Sequence, residues 1–369
     1  MKIGILTFHN AHNYGATLQA FALRTILREM GHDTHIINYR NDYLEKRYDA
    51  KLHLTIGKRE IINPFKWLGV VKRYYSNKFA QDEWSKQYAN FKSFINEIIL
   101  ENNISSINKE ELSLLPYDVF ICGSDQIWNA GITNGLDSAY FLEFQTNAKK
   151  ISYAASIAHK QIIKNEKEYF KQALSDFDYI SVREESAVIT LKEIVSKKIS
   201  VTLDPTLLLD VSAYDNLLAD NQEKDKYIFV YFISENKELM ECAEHIAQEM
   251  GYKLVELHYY LQKNLIGHNQ RADLGPREFL TYMKNAEFIL TNSFHGTVFS
   301  MLYHKKFYSV YGQDERKDNI LNAVNLQSRH IKNKDEIDLN SIIDYEKVDK
   351  YLEEYRNDSL EFLDYAIGE

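Results

Sequence analysis

The sequence contains only two cysteines, Cys122 and Cys242, among 369 residues. They stand in unrelated contexts with no CxxC spacing, which argues against a disulfide framework or a structural zinc site and fits a reducing compartment. The histidines, for example His9 and His12, are not spaced like a metal-binding motif. We therefore predict no metal site in this protein.

The sequence also lacks an excess of positive charge and a long apolar run. Its net charge is -9 with 26% charged residues, which is typical of a soluble protein and argues against a nucleic-acid partner. No run of about 18 apolar residues is present, so no transmembrane helix is predicted. The first residues, MKIGILTFHN, contain an apolar run too short for a signal peptide. We expect a cytoplasmic protein.

Short apolar runs alternate with helical patterns along the chain, which is typical of βαβ units around parallel sheets. The predicted strands are Lys2–Thr7, Thr34–Tyr39, Val119–Gly123, Ile151–Ser156, Tyr179–Val182, Val201–Leu203, Tyr227–Ile233, Lys253–Leu257, Phe288–Leu290 and Phe307–Val310. The predicted helices include Ala16–Met30, Lys237–Met250, Pro276–Lys284 and Tyr345–Ala366. The fold class is therefore α/β with parallel sheets.

A polar stretch from Asp215 to Lys226 separates two sets of strands. It predicts an N-terminal Rossmann-like domain at 1–214, with an insertion at about 46–100, and a C-terminal Rossmann-like domain at 215–344. The acidic amphipathic segment at 345–369 is expected to form a helix that packs back across the first domain. Two βα domains that face each other form a cleft, where ligands of such proteins usually bind.

The segment Lys46–Lys78 differs from the rest of the chain in its charge. It carries nine Lys and Arg residues against two acidic ones, interleaved with aromatic residues. Such a segment can contact an anionic membrane surface or a pyrophosphate-bearing ligand. A solvated helical insertion explains the same pattern, because charged runs are usually surface.

The turn Asn13-Tyr14-Gly15 follows the first predicted strand and opens a helix. A glycine there allows a ligand to approach the backbone, and a helix N-terminus favours an anion. The turn is not GxGxxG, so the dinucleotide-binding fingerprint is absent. Tight βα turns also need such a glycine for geometry alone.

A second polar turn follows the strand that ends at Gly123. Ser124, Asp125 and Gln126 can hydrogen-bond sugar hydroxyls, and Trp128 can stack on a sugar ring. The alternative is a capped helix start with Ser124 or Asp125 as N-cap. Binding and capping explain this turn about equally well, since ligands lie at the carboxyl ends of parallel strands.

Arg183 comes directly after the strand Tyr179–Val182. A guanidinium at this position suits a bidentate grip on a carboxylate or phosphate. An ion pair with Glu184, Glu185 or Asp204 explains it equally well.

His295 follows the strand Phe288–Leu290, behind Asn292 and Ser293 and ahead of Gly296. A lone histidine is more often a satisfied core or capping residue than a catalytic one. Here the glycine frees the backbone for a ligand, and an imidazole exchanges protons near neutral pH. His295 is therefore a candidate acid or base. The sequence has no GxSxG motif and no Walker lysine.

Five motifs occur in order along the chain: HNAHNYGATLQAFAL, ICGSDQIWN, SVREES, DPTLLL and TNSFHGTVFS. Together they resemble the polysaccharide pyruvyl transferase family over about residues 1–330. The resemblance implies a GT-B-like fold of two Rossmann-like halves. It also implies transfer of a carboxyethylidene group from phosphoenolpyruvate to two hydroxyls of one sugar, with phosphate released. It implies no metal or organic cofactor.

The resemblance also implies roles for single residues. The family's strand-end arginine falls on Arg183, which implies binding of phosphoenolpyruvate, and the histidine before the glycine falls on His295, which implies an acid/base role. Some members carry an arginine where this chain has Ser293, so a second cation must come from elsewhere; the candidates are Arg316, Lys317 and Arg271. The donor site is assigned to Asn292, Ser293, Gly296 and Arg316. The acceptor site is assigned to Asn13, Tyr14, Gly15, Ser124, Asp125, Gln126 and Trp128.

Two other functions fit the same sequence. A GT-B-type glycosyltransferase with a nucleotide-sugar donor would share the fold and would need no arginine at Ser293. A non-catalytic sugar-binding module is a third reading. The expected partner in the leading reading is a sugar acceptor, with a lipid-linked sugar as one option if Lys46–Lys78 contacts the membrane.

Overall fold

The computed structural model describes residues 1–47, 81–157, 166–221, 223–258, 269–310 and 314–368. Strands and helices alternate through these ranges, as the sequence pattern predicts. The predicted basic segment Lys46–Lys78 lies outside the described residues except for its first two positions.

The first half of the described chain forms a parallel sheet of six strands with the order β2-β1-β3-β4-β5-β6. Every position of β1, β3 and β4 is buried except one end residue of each, as expected for strands covered by helices on both faces. The strands are β1 Lys2–Leu6, β2 Asp33–Ile36, β3 Val119–Asp125, β4 Lys149–Ala155, β5 Tyr179–Val182 and β6 Ile199–Val201.

The second half forms another parallel six-stranded sheet within the described ranges, with the order β12-β11-β10-β7-β8-β9. Its central strands β7 and β10 are buried at every position. The strands are β7 Tyr227–Tyr231, β8 Lys253–Leu257, β9 Asn269–Arg271, β10 Phe288–Thr291, β11 Lys306–Val310 and β12 His330–Ile331. The expected α/β fold with two parallel Rossmann-like sheets is confirmed.

The α-helices connect these strands. They are α1 Tyr14–Glu29, α2 Asp42–Arg47, α3 81–94, α4 Ala130–Thr133, α5 Lys167–Ser175, α6 Glu185–Lys192, α7 Val211–Asp215, α8 Lys237–Met250, α9 Pro276–Asn285, α10 Phe294–Leu302, α11 Glu315–Ala323 and α12 Tyr345–Gly368. A π-helical turn, Ile95–Ile99, continues α3, and a 3₁₀ turn, Pro205–Leu207, follows β6. No helix in the described ranges has the length and apolarity needed to cross a bilayer.

Each sheet has one point where the strand order reverses. In the first sheet the reversal lies between β1 and β3, and in the second it lies between β7 and β10. The loops that leave neighbouring strands at such a point run in opposite directions and open a crevice at the carboxyl ends. Two crevices therefore exist, one in each half of the protein.

The two halves share a continuous hydrophobic core, which includes Leu18 of α1 and Phe279 of α9. Tyr14, at the start of α1, stacks on the Phe279 ring with centroids 4.6 Å apart and donates a hydrogen bond of 2.7 Å to the Leu274 carbonyl. Asn90 of α3 donates to the Asp273 carbonyl at 3.1 Å. These contacts bring the carboxyl ends of the two sheets face to face.

The helix α12 contacts both halves. At its start the Tyr345 hydroxyl donates a 2.5 Å hydrogen bond to the Lys305 carbonyl, just ahead of β11. In its middle Ser359 accepts a 3.0 Å bond from the Leu203 amide, which follows β6. At its end Lys149 of β4 donates to the Ala366 and Ile367 carbonyls at 3.1 and 3.0 Å. The last carbonyls of the helix are thereby satisfied by a cation, which the helix dipole favours.

Candidate active site

The two crevices combine into one cleft with a cavity volume of about 630 Å³. Loops that follow β1, β3, β7 and β10 line it, so its walls come from the reversal points of both sheets. Polar lining residues are His12, Asn13, Tyr14, Gln87, Asp125 and Gln126 from the first half, and Ser234, Glu235, His258, Asn292, Ser293, His295, Asp314 and Arg316 from the second. The position matches the place where doubly wound proteins bind ligands.

The turn between β10 and α10 is held by short polar side chains. Ser293 caps α10, because its hydroxyl accepts a 3.3 Å bond from the Gly296 amide, and its own amide donates to the Thr291 hydroxyl at 3.0 Å. Any Cβ on Gly296 would lie 2.4 Å from that hydroxyl. Gly296 therefore serves the packing of the turn and does not line the cleft, which corrects the expectation that it makes room for a ligand.

Asn292 links the loops that follow β10 and β7. Its side-chain oxygen accepts a 2.8 Å bond from the Ile233 amide, and its nitrogen donates to the Ser234 carbonyl at 2.8 Å. Glu235 directly follows Ser234 in this loop. Asn292 thus positions one wall of the cleft, and both polar atoms of its side-chain amide are hydrogen-bonded.

His295 packs against the start of α1 in the other half of the protein. A Cβ on Gly15 would lie 1.9 Å from the His295 Nδ1 atom, so only glycine fits beneath this ring. The predicted ligand role of Gly15 is therefore replaced by a packing role. The close approach places the imidazole where the two crevices meet.

The Nε2 atom of His295 lies 3.5 Å from a carboxylate oxygen of Asp204, and the same oxygen accepts a 2.5 Å bond from Nη1 of Arg183. The other Asp204 oxygen accepts 2.6 and 3.0 Å bonds from the hydroxyl and amide of Thr206. Burial would raise the pKa of Asp204, but His295 and Arg183 hold it well below its ordinary value. Asp204 is therefore a carboxylate that orients an imidazole and a guanidinium together.

Arg183 lies beneath the cleft surface, with 3% of its side chain exposed. Besides Asp204 it faces Asp125 at 3.5 Å and Glu184 at 3.6 Å. Burial would lower the pKa of Arg183, but these three carboxylates raise it above its ordinary value. Its Nε and Nη2 atoms nevertheless make no hydrogen bond to any described residue. Arg183 is thus ion-paired with Asp204 and also retains two donors that no described residue uses.

Glu184 is a buried carboxylate beside this group. Its Oε1 accepts a 2.5 Å bond from the Ser156 hydroxyl, whereas Oε2 makes no hydrogen bond within the described residues. Burial raises the pKa of Glu184, and Arg183 and Ser156 oppose the shift only in part. A carboxyl that is both buried and incompletely bonded is an expensive arrangement, of the kind found at functional sites.

Two guanidinium groups lie against the ring of Phe294. The central carbons of Arg183 and Arg316 are 5.1 and 5.4 Å from its centroid. Arg316 lines the cleft with 18% of its side chain exposed, and it forms a bidentate pair with Asp314 at 2.7 and 2.8 Å. Of the three candidates for a second cation, Arg316 is the one that lines the cleft together with Ser293.

Lys317 follows Arg316 but points away from the solvent. It is fully buried and donates to the Asn292 and Val310 carbonyls at 3.3 and 3.2 Å. Burial lowers the pKa of Lys317. It ties together the ends of β10 and β11. Arg271, the third candidate for a second cation, is paired with Asp273 at 2.8 Å and does not line the cleft.

Four residues predicted in the turn after β3 separate into two pairs. Asp125 and Gln126 line the cleft as expected. Ser124 is buried and donates a 3.0 Å bond to the Ala154 carbonyl. Trp128 is 2% exposed, and its indole N–H donates to the Tyr140 carbonyl at 3.0 Å. The expectation that Trp128 stacks on a sugar is corrected, since its ring stacks on Phe141 in the core.

Asn13 and Tyr14 line the cleft, and both also serve the fold. The Asn13 side chain accepts a 3.1 Å bond from the Ala16 amide and so caps α1. The Tyr14 hydroxyl is engaged with Leu274, and burial raises its pKa well above the ordinary value. Tyr14 therefore remains a neutral phenol, with its ring covered by Phe279.

The sequence pattern did not predict a group of three residues at the ends of β7 and β8. His258 follows β8 and contacts Glu256 through Nε2 at 2.7 Å and Glu235 through Nδ1 at 3.1 Å. Burial would lower the pKa of His258, but the two glutamates raise it above its ordinary value. Glu256 stands inside an otherwise apolar buried strand, where a charged residue is rare. That anomaly could have revealed the group from sequence alone.

Within the described residues no set of three or more His, Cys, Asp or Glu side chains is arranged to hold a metal ion. The cleft is instead built from ion pairs that join carboxylates to guanidinium and imidazole groups. Fold and site together define an α/β protein with a charged cleft between parallel six-stranded sheets. The chain belongs to the polysaccharide pyruvyl transferase family, whose model matches residues 13–314.

Several solved structures are similar to this chain at low sequence identity. The chain is similar to UDP-GlcNAc 2-epimerase from Methanocaldococcus jannaschii, with 14% identity over 96% of this chain and 92% of that chain and a TM-score of 0.47. The chain is also similar to MnaA of S. aureus, with 13% identity over 100% of this chain and 96% of that chain and a TM-score of 0.48. A further similar structure is the glycosyltransferase SnogD from Streptomyces nogalater, with 10% identity over 98% of this chain and 95% of that chain and a TM-score of 0.36. Among curated proteins, none matches this sequence.

Proposed function

We propose that this protein transfers a carboxyethylidene group from phosphoenolpyruvate to two hydroxyls of one sugar, forms a cyclic ketal and releases phosphate. The proposal rests on membership of a transferase family. The observation that carries it is the group His295–Asp204–Arg183 at the junction of the two crevices. It combines a proton-transfer residue, an orienting carboxylate and a cation.

In this proposal the anionic donor lies between Arg316 and the floor of the cleft. Arg316 supplies the exposed cation, and the two unused donors of Arg183 become available to a donor oxygen that displaces Asp125. The Phe294 ring separates the two guanidinium groups. Cations at these positions reduce the repulsion among the carboxylate, the phosphate and the incoming sugar oxygen.

His295 then gives a proton to the methylene carbon of phosphoenolpyruvate, which makes C2 electrophilic. A sugar hydroxyl adds at C2, and a second hydroxyl displaces the phosphate. Asp204 supports the imidazolium that starts the cycle, because its pKa is held low and it stays ionised. General acid catalysis of this kind contributes about 10²–10⁴ in rate.

The test is phosphate release from phosphoenolpyruvate in the presence of a panel of glycosides. We expect acceptor-dependent release by the wild type and a loss of about 10²–10⁴ in His295→Gln. His304→Gln is the matched control, because His304 is half-exposed and pairs with Asp349 away from the cleft. Arg183→Lys, which keeps the buried charge, should raise KM for the donor. Release of a nucleoside diphosphate from a nucleotide sugar, with no turnover of phosphoenolpyruvate, would replace this function by glycosyl transfer.

We further propose that the acceptor is lipid-linked and that the segment Lys46–Lys78 contacts the membrane. The support is its composition, nine basic residues against two acidic ones with interleaved aromatic residues. Co-sedimentation with anionic vesicles should fall when charge is reversed at Lys58, Arg59, Lys72 and Arg73. Binding that is insensitive to this change would refute the membrane contact.

A further inference from the structure

The carboxylate–imidazole–carboxylate chain Glu256–His258–Glu235 has one buried end and one open end. Glu256 is completely buried, His258 is 2% exposed, and 47% of the Glu235 side chain is exposed in the cleft. The His258 ring stacks on Phe232 with centroids 4.3 Å apart. An imidazole can donate to two carboxylates only when both of its nitrogens carry protons. The geometry therefore places the His258 ring between two carboxyl groups, of which Glu235 faces the cleft.

A purely structural role does not explain this chain. Burying a carboxylate and an imidazolium costs free energy that an apolar pair at the same positions would avoid. Asn292 and Ser234 also fix the loop that carries Glu235, through hydrogen bonds of 2.8 Å at both ends of the Asn292 amide. The outer carboxylate is thus oriented from two sides, by His258 and by the end of β10.

Three carboxylates line the cleft within the described residues: Asp125, Glu235 and Asp314. Asp314 is held in a bidentate pair with Arg316, and Asp125 faces Arg183. Both are therefore engaged with the guanidinium groups assigned to the anionic donor. Glu235 follows β7 and contacts an imidazole, which itself contacts a second carboxylate. It is the lining carboxylate best placed for a neutral, hydroxyl-bearing ligand.

We propose that Glu235 is the base for the acceptor diol, with His258 and Glu256 as its positioning residues; this inference rests on the proposed function. Ketal formation removes a proton from each of two hydroxyls, and one histidine cannot accept both while it also protonates carbon. Glu235 takes the proton of the first hydroxyl as its O–H bond breaks and the bond from oxygen to C2 of phosphoenolpyruvate forms. His295 gives its proton to the methylene carbon.

The second hydroxyl then attacks C2, and the bond from C2 to the phosphate oxygen breaks with its electron pair on the phosphate. The proton of the second hydroxyl restores His295, and the proton on Glu235 leaves with the phosphate. Both residues end the cycle in the form in which they began. Two proton-transfer groups that line one cleft thus account for both hydroxyls of the ketal.

The test compares Glu235→Gln with Glu238→Gln in the phosphate-release assay. Glu238 is exposed in the first turn of α8 and does not line the cleft, so the control removes the same charge three residues away. We expect kcat of the Glu235 variant to fall by about 100-fold or more, with KM for the acceptor changed little and an unaltered melting temperature. The control should retain wild-type kcat.

Two further variants separate catalysis from structure. Glu235→Ala leaves space in an open cleft, so added formate should restore part of its activity, which a structural defect would not show. Glu256→Gln should lower kcat by a smaller factor, of about 10-fold, at unchanged KM for the donor. Wild-type kcat in Glu235→Gln, or a loss confined to KM for the acceptor, would overturn the assignment as a base.

A carboxylate that binds hydroxyls can also bind the ribose diol of a nucleotide. Saturation-transfer NMR with a methyl hexoside and with UDP distinguishes the two sources of a diol. We expect the hexoside signal, and not a UDP signal, to depend on Glu235. A UDP signal that Glu235→Gln abolishes would overturn the acceptor role. Failure of the proposed function appears differently, as a wild type that releases no phosphate with any acceptor.

Discussion

Replacing Asp204 by Asn tests the buried centre of the cleft. The amide oxygen can still accept both bonds from Thr206, whereas the amide nitrogen then faces Nη1 of Arg183, a donor opposite a donor. Removing one partner of a buried ion pair costs about 3–5 kcal/mol. Asp125 and Glu184 remain within 3.6 Å of the guanidinium, so we expect the lower end, about 3 kcal/mol.

Urea denaturation at neutral pH measures this cost, with Asp210→Asn as the control. Asp210 is exposed and caps α7, a role that asparagine fills equally well, so its change should stay below about 0.5 kcal/mol. Because the folded-state pKa of Asp204 lies below its unfolded value near ~3.9, its contribution is present above that pH and is lost as the pH falls. The Asp204 variant should therefore lose less stability than the wild type on acidification below about pH 5. Equal losses of unfolding free energy at neutral pH in Asp204→Asn and Asp210→Asn would refute this expectation.

Two other substitutions test the surfaces that form the cleft. Gly15→Ala places a Cβ 1.9 Å from the His295 ring, so we expect a loss of about 1–3 kcal/mol and a fall in kcat, measured by thermal melting and phosphate release. Gly368→Ala, where nothing lies within 4 Å, is its control, and an unaltered kcat in Gly15→Ala would contradict the contact. Arg316→Gln should raise KM for phosphoenolpyruvate by about 10–100-fold, as expected for a charge-assisted contact. Arg40→Gln, which removes a guanidinium outside the cleft lining, should leave that KM unchanged.

The regular part of the fold could be predicted from the sequence, because buried parallel strands are nearly continuous apolar runs. Tyr179–Val182 and Lys253–Leu257 have the predicted bounds, and the other predicted strands differ by a few residues. The strands β9 and β12 were not predicted. They are three and two residues long, and Asn269–Arg271 is polar, so neither carries an apolar signal.

The sequence indicated which strand-end residues come together in one cleft, but not how their neighbours pack. His295, Asn292, Ser293, Asp125, Gln126 and Arg316 all line the cleft, because the carboxyl ends of parallel strands share one edge. The glycines and Trp128 were misread, since a small or aromatic residue beside a strand end suits a ligand and a neighbouring helix equally. Whether Gly15 faces a substrate or an imidazole depends on the other half of the protein, about 280 residues later in the chain.

The contacts of α12 have a mechanical consequence. The helix is anchored near β11 in one half, and near β4 and the segment after β6 in the other. Both sets of hydrogen bonds involve the same helix, so the halves cannot move straight apart without breaking the hydrogen bonds at one of its ends. Rotation about an axis close to α12 preserves all of these hydrogen bonds. Any rotation that preserves these hydrogen bonds therefore moves the residues farthest from α12 by the greatest distance.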